Sequence, residues 1–129
     1  MNVLNVLPDS PFVTELGLKV IEWTQGKAVL SVELTERLQN RRGTGHGGVT
    51  ATLLDVALAI AGRSQTGEWS MEGTVTLNLQ FLAPARGRLI AEGRLLKAGT
   101  SVAFCEGEAR DQNGTLIAKA TATYKIERK

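Results

Sequence analysis

The chain has 129 residues, of which 43% are hydrophobic and 22% charged, and its net charge is +2. That balance fits one compact domain over 1–129 with a sizeable core, and it is too weakly basic to argue for nucleic acid as a partner. A single cysteine, Cys105, excludes an internal disulfide, and with His46 the only histidine, a cysteine–histidine metal cluster is excluded as well.

Met1 to Ser10 lacks the basic and apolar regions of a secretory signal, and no apolar run reaches the ~18 residues of a membrane span. A cytoplasmic protein without membrane partner, metal or cofactor is expected.

Ser10 to Leu16 reads as a short helix capped by Ser10, started by Pro11 and ended by Gly17. Leu18 to Trp23 and Lys27 to Leu34 read as two strands around the turn at Gly26, with Ala28, Leu30, Val32 and Leu34 on one face. Thr35 to Gly45 is polar and glycine-containing, a loop. Gly47 to Ala61 is apolar nearly all round, which predicts a buried helix about 22 Å long, and Gly62 is placed to end it.

A polar loop containing Trp69 follows. Val75, Leu77, Leu79 and Phe81 then alternate with Thr74, Thr76, Asn78 and Gln80 in the period of two that marks a strand. Pro84 to Gly87 interrupts. Leu89 to Lys97 and Val102 to Arg110 are strands joined through Ala98-Gly99-Thr100. Asn113-Gly114 is the strongest hairpin signal, and Thr115 to Ile126 closes the chain with Leu116, Ala118, Ala120, Ala122, Tyr124 and Ile126 on one face. Six strands with one apolar helix imply an α+β fold, an antiparallel sheet wrapped around that helix.

The apolar helix carries one ionisable residue, Asp55. A buried carboxylate is costly, so it needs either an ion-pair partner or a catalytic task, and alone it does not decide between them. The segment before it, Asn40-Arg41-Arg42-Gly43-Thr44-Gly45-His46-Gly47-Gly48, puts glycine where helix amides are unpaired. Such amides can form an oxyanion hole that a carbonyl approaches closely, although a merely flexible glycine-rich connection has the same composition.

Gly43-Thr44-Gly45-His46-Gly47-Gly48 also satisfies G-x-G-x-x-G, but no strand runs directly into it, as a dinucleotide site requires. No Gly-x-Ser-x-Gly nucleophile elbow is present. Cys105 sits in an apolar strand, and Trp23 and Trp69 read as packing residues.

Asn40, His46-Gly47-Gly48, Asp55 and the strand Thr74 to Phe81 running into Leu82-Ala83-Pro84-Ala85 together resemble the PaaI-type branch of hotdog-fold acyl-CoA thioesterases, over about Phe12 to Ile126. The resemblance implies an enzyme that hydrolyses an aryl- or medium-chain acyl-CoA to free acid and coenzyme A. Asp55 is then nucleophile or general base, the Gly47 amide polarises the carbonyl, His46 and Asn40 shape that end of the site, and Thr74 orients the water. Gly48, Arg86, Lys97 and Thr100 are expected at the substrate, with Arg88 and Arg94 as further candidate anchors for its phosphates.

Hydratases of the same superfamily pair the aspartate with a histidine five residues later, where this chain has Ile60. A non-catalytic acyl-CoA binder or sensor is the alternative reading, and the presence of Asp55 counts against it. Gly47 and Asp55 are about 12 Å apart along one helix, too far for one carbonyl to meet both. Two antiparallel helices across a two-fold axis would bring them together, so a homodimer with a shared site is expected; the resemblance to hotdog-fold thioesterases further implies a dimer of dimers, a homotetramer.

Overall fold

In the computed structural model, residues 6–129 are described; residues 1–5, part of the stretch read for a secretory signal, lie outside them. Two helices and six strands follow in the expected order: α1 (Pro11–Leu16), β1 (Lys19–Thr24), β2 (Lys27–Glu33), α2 (Gly47–Ala61), β3 (Trp69–Phe81), β4 (Arg88–Ala98), β5 (Val102–Asp111) and β6 (Leu116–Arg128). A 3-10 turn, Glu36–Leu38, interrupts the loop before α2. Ser10 caps α1 through a bond from the Val13 amide, and Gly17 ends it with φ 79°, a left-handed conformation that a side chain would strain.

All strand pairs are antiparallel, in the order β1-β2-β4-β5-β6-β3. The six strands form one sheet, and α2 lies across its inward face, so β1 and β3 are the two edges. Ala28, Leu30, Val32, Leu89, Ala91, Ala103, Cys105, Ala109 and the alternate residues Ala118 to Ile126 point inward and are buried, as the period-two pattern predicts. No described helix is long and apolar enough to cross a membrane.

Where α2 meets the middle of the sheet, side chains give way to backbone. Gly93 and Gly107 face each other in the β4–β5 ladder. A Cβ on Gly93 would stand 2.7 Å from the Ala57 carbonyl oxygen and 3.1 Å from Leu58 Cα, and one on Gly107 would collide with the Glu92 carbonyl and the Leu58 side chain. The helix is thus seated two to three residues beyond Asp55, closer than any side chain on these two strands would permit.

Three expectations are corrected. Trp69 does not lie in a loop but starts β3, because its indole N–H donates to the Gly62 carbonyl at 2.9 Å and its ring is covered by the Arg128 guanidinium at 4.7 Å.

The alternation in β3 is not unbroken, since the ladder to β6 shifts register between Met71 and Gly73 and again between Thr74 and Thr76. With Val75 as the extra residue of the second bulge, Thr74 turns to the inward face that Leu77, Leu79 and Phe81 share, and Val75 is left 59% exposed.

Finally, α2 is not buried on every side. Gly48, Ala51, Thr52, Asp55 and Ala59 form a stripe facing away from the sheet that stays at least partly exposed. Its residues are small, so a reading based on hydrophobicity alone counts the stripe as core.

Gly93→Ala is expected to lower the unfolding free energy by about 1–3 kcal/mol, because the new methyl meets helix backbone that cannot rotate away. Urea unfolding measures this directly, and a change below about 0.5 kcal/mol, the size of an ordinary surface substitution, would show that the helix is not seated there.

Candidate active site

Asp55 projects from the open stripe of α2, and three hydrogen bonds surround it. The Thr74 hydroxyl donates to Asp55 Oδ1 at 3.0 Å, and the Tyr124 hydroxyl shares its one proton between the same oxygen at 3.0 Å and the Asp55 backbone carbonyl at 2.7 Å. Thr74 and Tyr124 are direct partners across the β3–β6 ladder, so both reach one carboxylate from neighbouring strands. Thr74 arrives there only because the Val75 bulge turns it inward. Asp55 Oδ2 has no partner among the described residues.

Tyr124 is the residue that the sequence reading missed; it counted only as one more member of an inward face. A signal was available. Tyr124 is the chain's only tyrosine, on a face otherwise lined by leucine, alanine and isoleucine, and a buried phenol needs a partner for its hydroxyl. Burial, reinforced by the negative charge of Asp55, pushes its ionisation well above the ordinary phenol range.

The N-terminus of α2 is equally defined. His46 is the N-cap, and its Nδ1 accepts from the Gly48 amide at 2.9 Å. The Val49 and Thr50 amides both turn back to the His46 carbonyl. That leaves the Gly47 N–H as the amide of this helix start with no acceptor among the described residues. The Gly48 amide is thus taken up by His46, and its carbonyl accepts from the Thr52 hydroxyl.

Asn40 works within its own loop. Its Oδ1 accepts from the Arg42 and Thr44 amides at 2.9 and 3.2 Å, and its Nδ2 donates to Thr44 Oγ1 at 2.9 Å. These bonds fold Asn40–Thr44 so that Gly45 donates to the Ala85 carbonyl and His46 to the Leu38 carbonyl, which fixes the helix start against the segment after β3.

Beside Gly47 opens a cleft of about 520 Å³, bounded by Arg42, Arg86, Phe81 and Leu82. The Phe81 ring lies over Gly47, where an added Cβ would sit 3.5 Å from it.

The remaining expected residues are not brought together. Arg86 borders the Gly47 cleft, whereas Lys97 and Thr100 lie with Arg128 at the other end of β4, on the order of 30 Å away along an eleven-residue strand. Arg94 and Arg88 are not free anchors for phosphate. Arg94 binds Glu108 at 2.6 Å, Glu92 at 3.2 Å and Glu106 at 3.3 Å, and Arg88 pairs with Glu33 at 3.7 Å. Cys105 is buried, and burial pushes its thiol up to about 12, which leaves it without nucleophilic character.

Residues 42–118, from the loop before α2 into β6, match the family model of the thioesterase superfamily. The chain belongs to the thioesterase superfamily.

The medium/long-chain acyl-CoA thioesterase YigI of Salmonella typhimurium is 32% identical over 90% of this chain and 85% of its own length. Mouse acyl-coenzyme A thioesterase 13 is 30% identical over 75% of this chain and 71% of its own. The solved structure of a mutant of the phenylacetic acid degradation protein PaaI from Thermus thermophilus superposes with a TM-score of 0.80 at 27% identity, covering 90% of this chain and 98% of that one. This thioesterase superfamily member is a PaaI-type protein with the hotdog fold, and it is a thioester hydrolase.

Because Tyr124 is the only tyrosine, absorbance titration of phenolate reads this one group. Its neutral form is favoured in the folded state, so the stability it contributes is present below the ordinary phenol value and is lost as pH rises above it. The phenolate signal is expected to appear only together with alkaline unfolding. A separate ionisation step in the folded protein at the ordinary phenol value would contradict the buried, Asp55-bound placement.

Proposed function

We propose that this chain hydrolyses aryl- or medium-chain acyl-CoA thioesters to free acid and coenzyme A, at a site that two copies of the chain share. The observation that carries the reading is the state of the α2 N-terminus: among the described residues, His46 and the first turn occupy its other amides, and the Gly47 N–H alone is left to donate. A donor at a helix N-terminus stabilises the oxygen that becomes negative when a thioester carbonyl is attacked. The acyl-CoA thioesterase relatives support coenzyme A as the leaving group, and Arg42 and Arg86 at the Gly47 cleft supply positive charge for its phosphates.

Asp55 is the carboxylate assigned to the reaction. As nucleophile, its Oδ2 adds to the carbonyl carbon to give a tetrahedral oxyanion, which collapses as the carbon–sulfur bond breaks. The thiolate takes a proton from solvent water, and water then cleaves the mixed anhydride, regenerating the carboxylate, releasing the acid and returning that proton. As general base, Oδ2 takes a proton from water as the oxygen of that water attacks, and the proton passes to the departing thiolate. Both routes build an oxyanion that the Gly47 amide receives, and Thr74 holds the carboxylate in place for both. His46 and Asn40 serve by fixing the helix start.

Support for the shared site comes from two unpaired surfaces. Eight residues of helix, about 12 Å, separate Gly47 from Asp55, and the small-residue stripe of α2 leaves room for a second helix to pack closely antiparallel. The long edge strand β3 exposes Val75 at 59% and Phe81 at 56%, and an open apolar edge of this kind invites pairing with another copy. In that arrangement Lys97 and Thr100 reach a Gly47 cleft only from another chain.

Proline tests the amide cleanly. Gly47 is the first helical position, where proline is well tolerated, and His46 has φ −63° and ψ 136°, the extended conformation that a residue before proline prefers. Gly47→Pro is expected to keep the fold and cut thiol release from benzoyl- and octanoyl-CoA by about 10²–10³-fold, whereas Gly47→Ala, which keeps the N–H, loses far less. Asp55→Asn is expected to cost at least about 10²-fold. If wild type releases no thiol from any ester tested, or if Gly47→Pro or Asp55→Asn matches it, the proposal fails.

A further inference from the structure

The carboxylate of Asp55 is held asymmetrically, and the residue responsible sits out of reach of any substrate. Tyr124 is fully buried, at 0% exposure, while Asp55 stays partly open. From β6 its hydroxyl meets both the backbone carbonyl and Oδ1 of Asp55, and Thr74 meets the same Oδ1 from β3.

We infer that Tyr124 is the positioning residue of this thioesterase: together with Thr74 it locks Oδ1 of Asp55 in place and so selects Oδ2 as the oxygen that meets the thioester or the water. This assignment rests on the acyl-CoA thioesterase reading above.

The geometry gives the hydroxyl a second function. A carboxylate on an isolated helix position rotates freely about its last bond, and a reacting group misplaced by about 1 Å loses on the order of 10²-fold in rate. Two donors on one oxygen, from two strands that are themselves hydrogen-bonded at that position, remove this rotation.

During turnover Asp55 loses its negative charge, either to an acyl group or to a proton. The Tyr124 O–H then has the Asp55 carbonyl, at 2.7 Å, as an alternative acceptor. A buried donor is therefore satisfied in either state of the carboxylate, and the cycle never leaves it unpaired. Burial and the Asp55 charge keep the phenol protonated, so it remains a donor throughout.

Tyr124→Phe removes the oxygen and keeps the ring. The full-length variant is assayed against benzoyl- and octanoyl-CoA beside wild type, Thr74→Val and Asp55→Asn, with thermal unfolding of each. The expected result is a fall in kcat of about tenfold or more for Tyr124→Phe, equal for the two esters, with KM changed less than about threefold. Thr74→Val, a change at an exposed site on the same oxygen, is expected to lower kcat likewise and serves as the test if the buried variant does not fold.

An unchanged kcat in either folded variant, with Asp55→Asn inactive, would overturn the positioning role and leave the enzyme assignment standing. So would a loss confined to KM that differs between the esters, the mark of a residue lining the acyl site. Wild type inactive on both esters would overturn both.

Discussion

At Gly93 the backbone of the sheet touches the backbone of α2 at Ala57 and Leu58, and at Gly107, facing it across the β4–β5 ladder, the Leu58 side chain takes the space a Cβ would need. Everything chemically interesting in this thioesterase is measured from that seat. It fixes the depth of the helix in the sheet two residues beyond Asp55, within reach of both Thr74 on β3 and Tyr124 on β6. A helix held further out by ordinary side chains would leave the Tyr124 hydroxyl buried without an acceptor, at the full cost of an unpaired polar group.

The same helix presents the two groups assigned to the proposed reaction, about 12 Å apart along its axis. Among the described residues its N-terminus is organised down to one free amide, with His46, the Asn40–Thr44 loop and the Ala85 carbonyl accounting for the neighbouring donors. Two turns later, Asp55 is gripped at one oxygen and, among the same residues, free at the other. Both groups are held by hydrogen bonds before any ligand arrives, which is the condition that the proposed electrostatic and acid–base roles require. The stripe of small residues between them is the part of the helix that the sheet leaves uncovered.

Much of this was legible in the residues. The helix Gly47–Ala61 and the hairpin at Asn113-Gly114 followed from periodicity and turn chemistry, since both signals are local. The Ser10 and Gly17 caps were equally readable.

What escaped depends on contacts between distant segments. The Val75 bulge is invisible in a pattern that alternates without a break, yet it turns Thr74 to the active face. The exposed stripe of α2 was hidden because alanine and glycine count as apolar whether or not anything covers them. Gly93 and Gly107 advertise close approach within a strand, but only the folded chain says what approaches. Arg88 and Arg94 looked available for phosphate because, Glu92 apart, their glutamate partners Glu33, Glu106 and Glu108 lie on other strands.

The central claim is that one helix supplies the carbonyl donor to one site and the carboxylate to another. Mixing the inactive Gly47→Pro and Asp55→Asn chains tests it most directly, since a mixed dimer rebuilds one site from the unaltered Gly47 of one copy and the unaltered Asp55 of the other. Co-expressed in equal amounts, the two variants are predicted to recover roughly a quarter of wild-type kcat, the share expected from random pairing with one intact site in two. A mixture no more active than the two variants assayed separately would contradict a shared site.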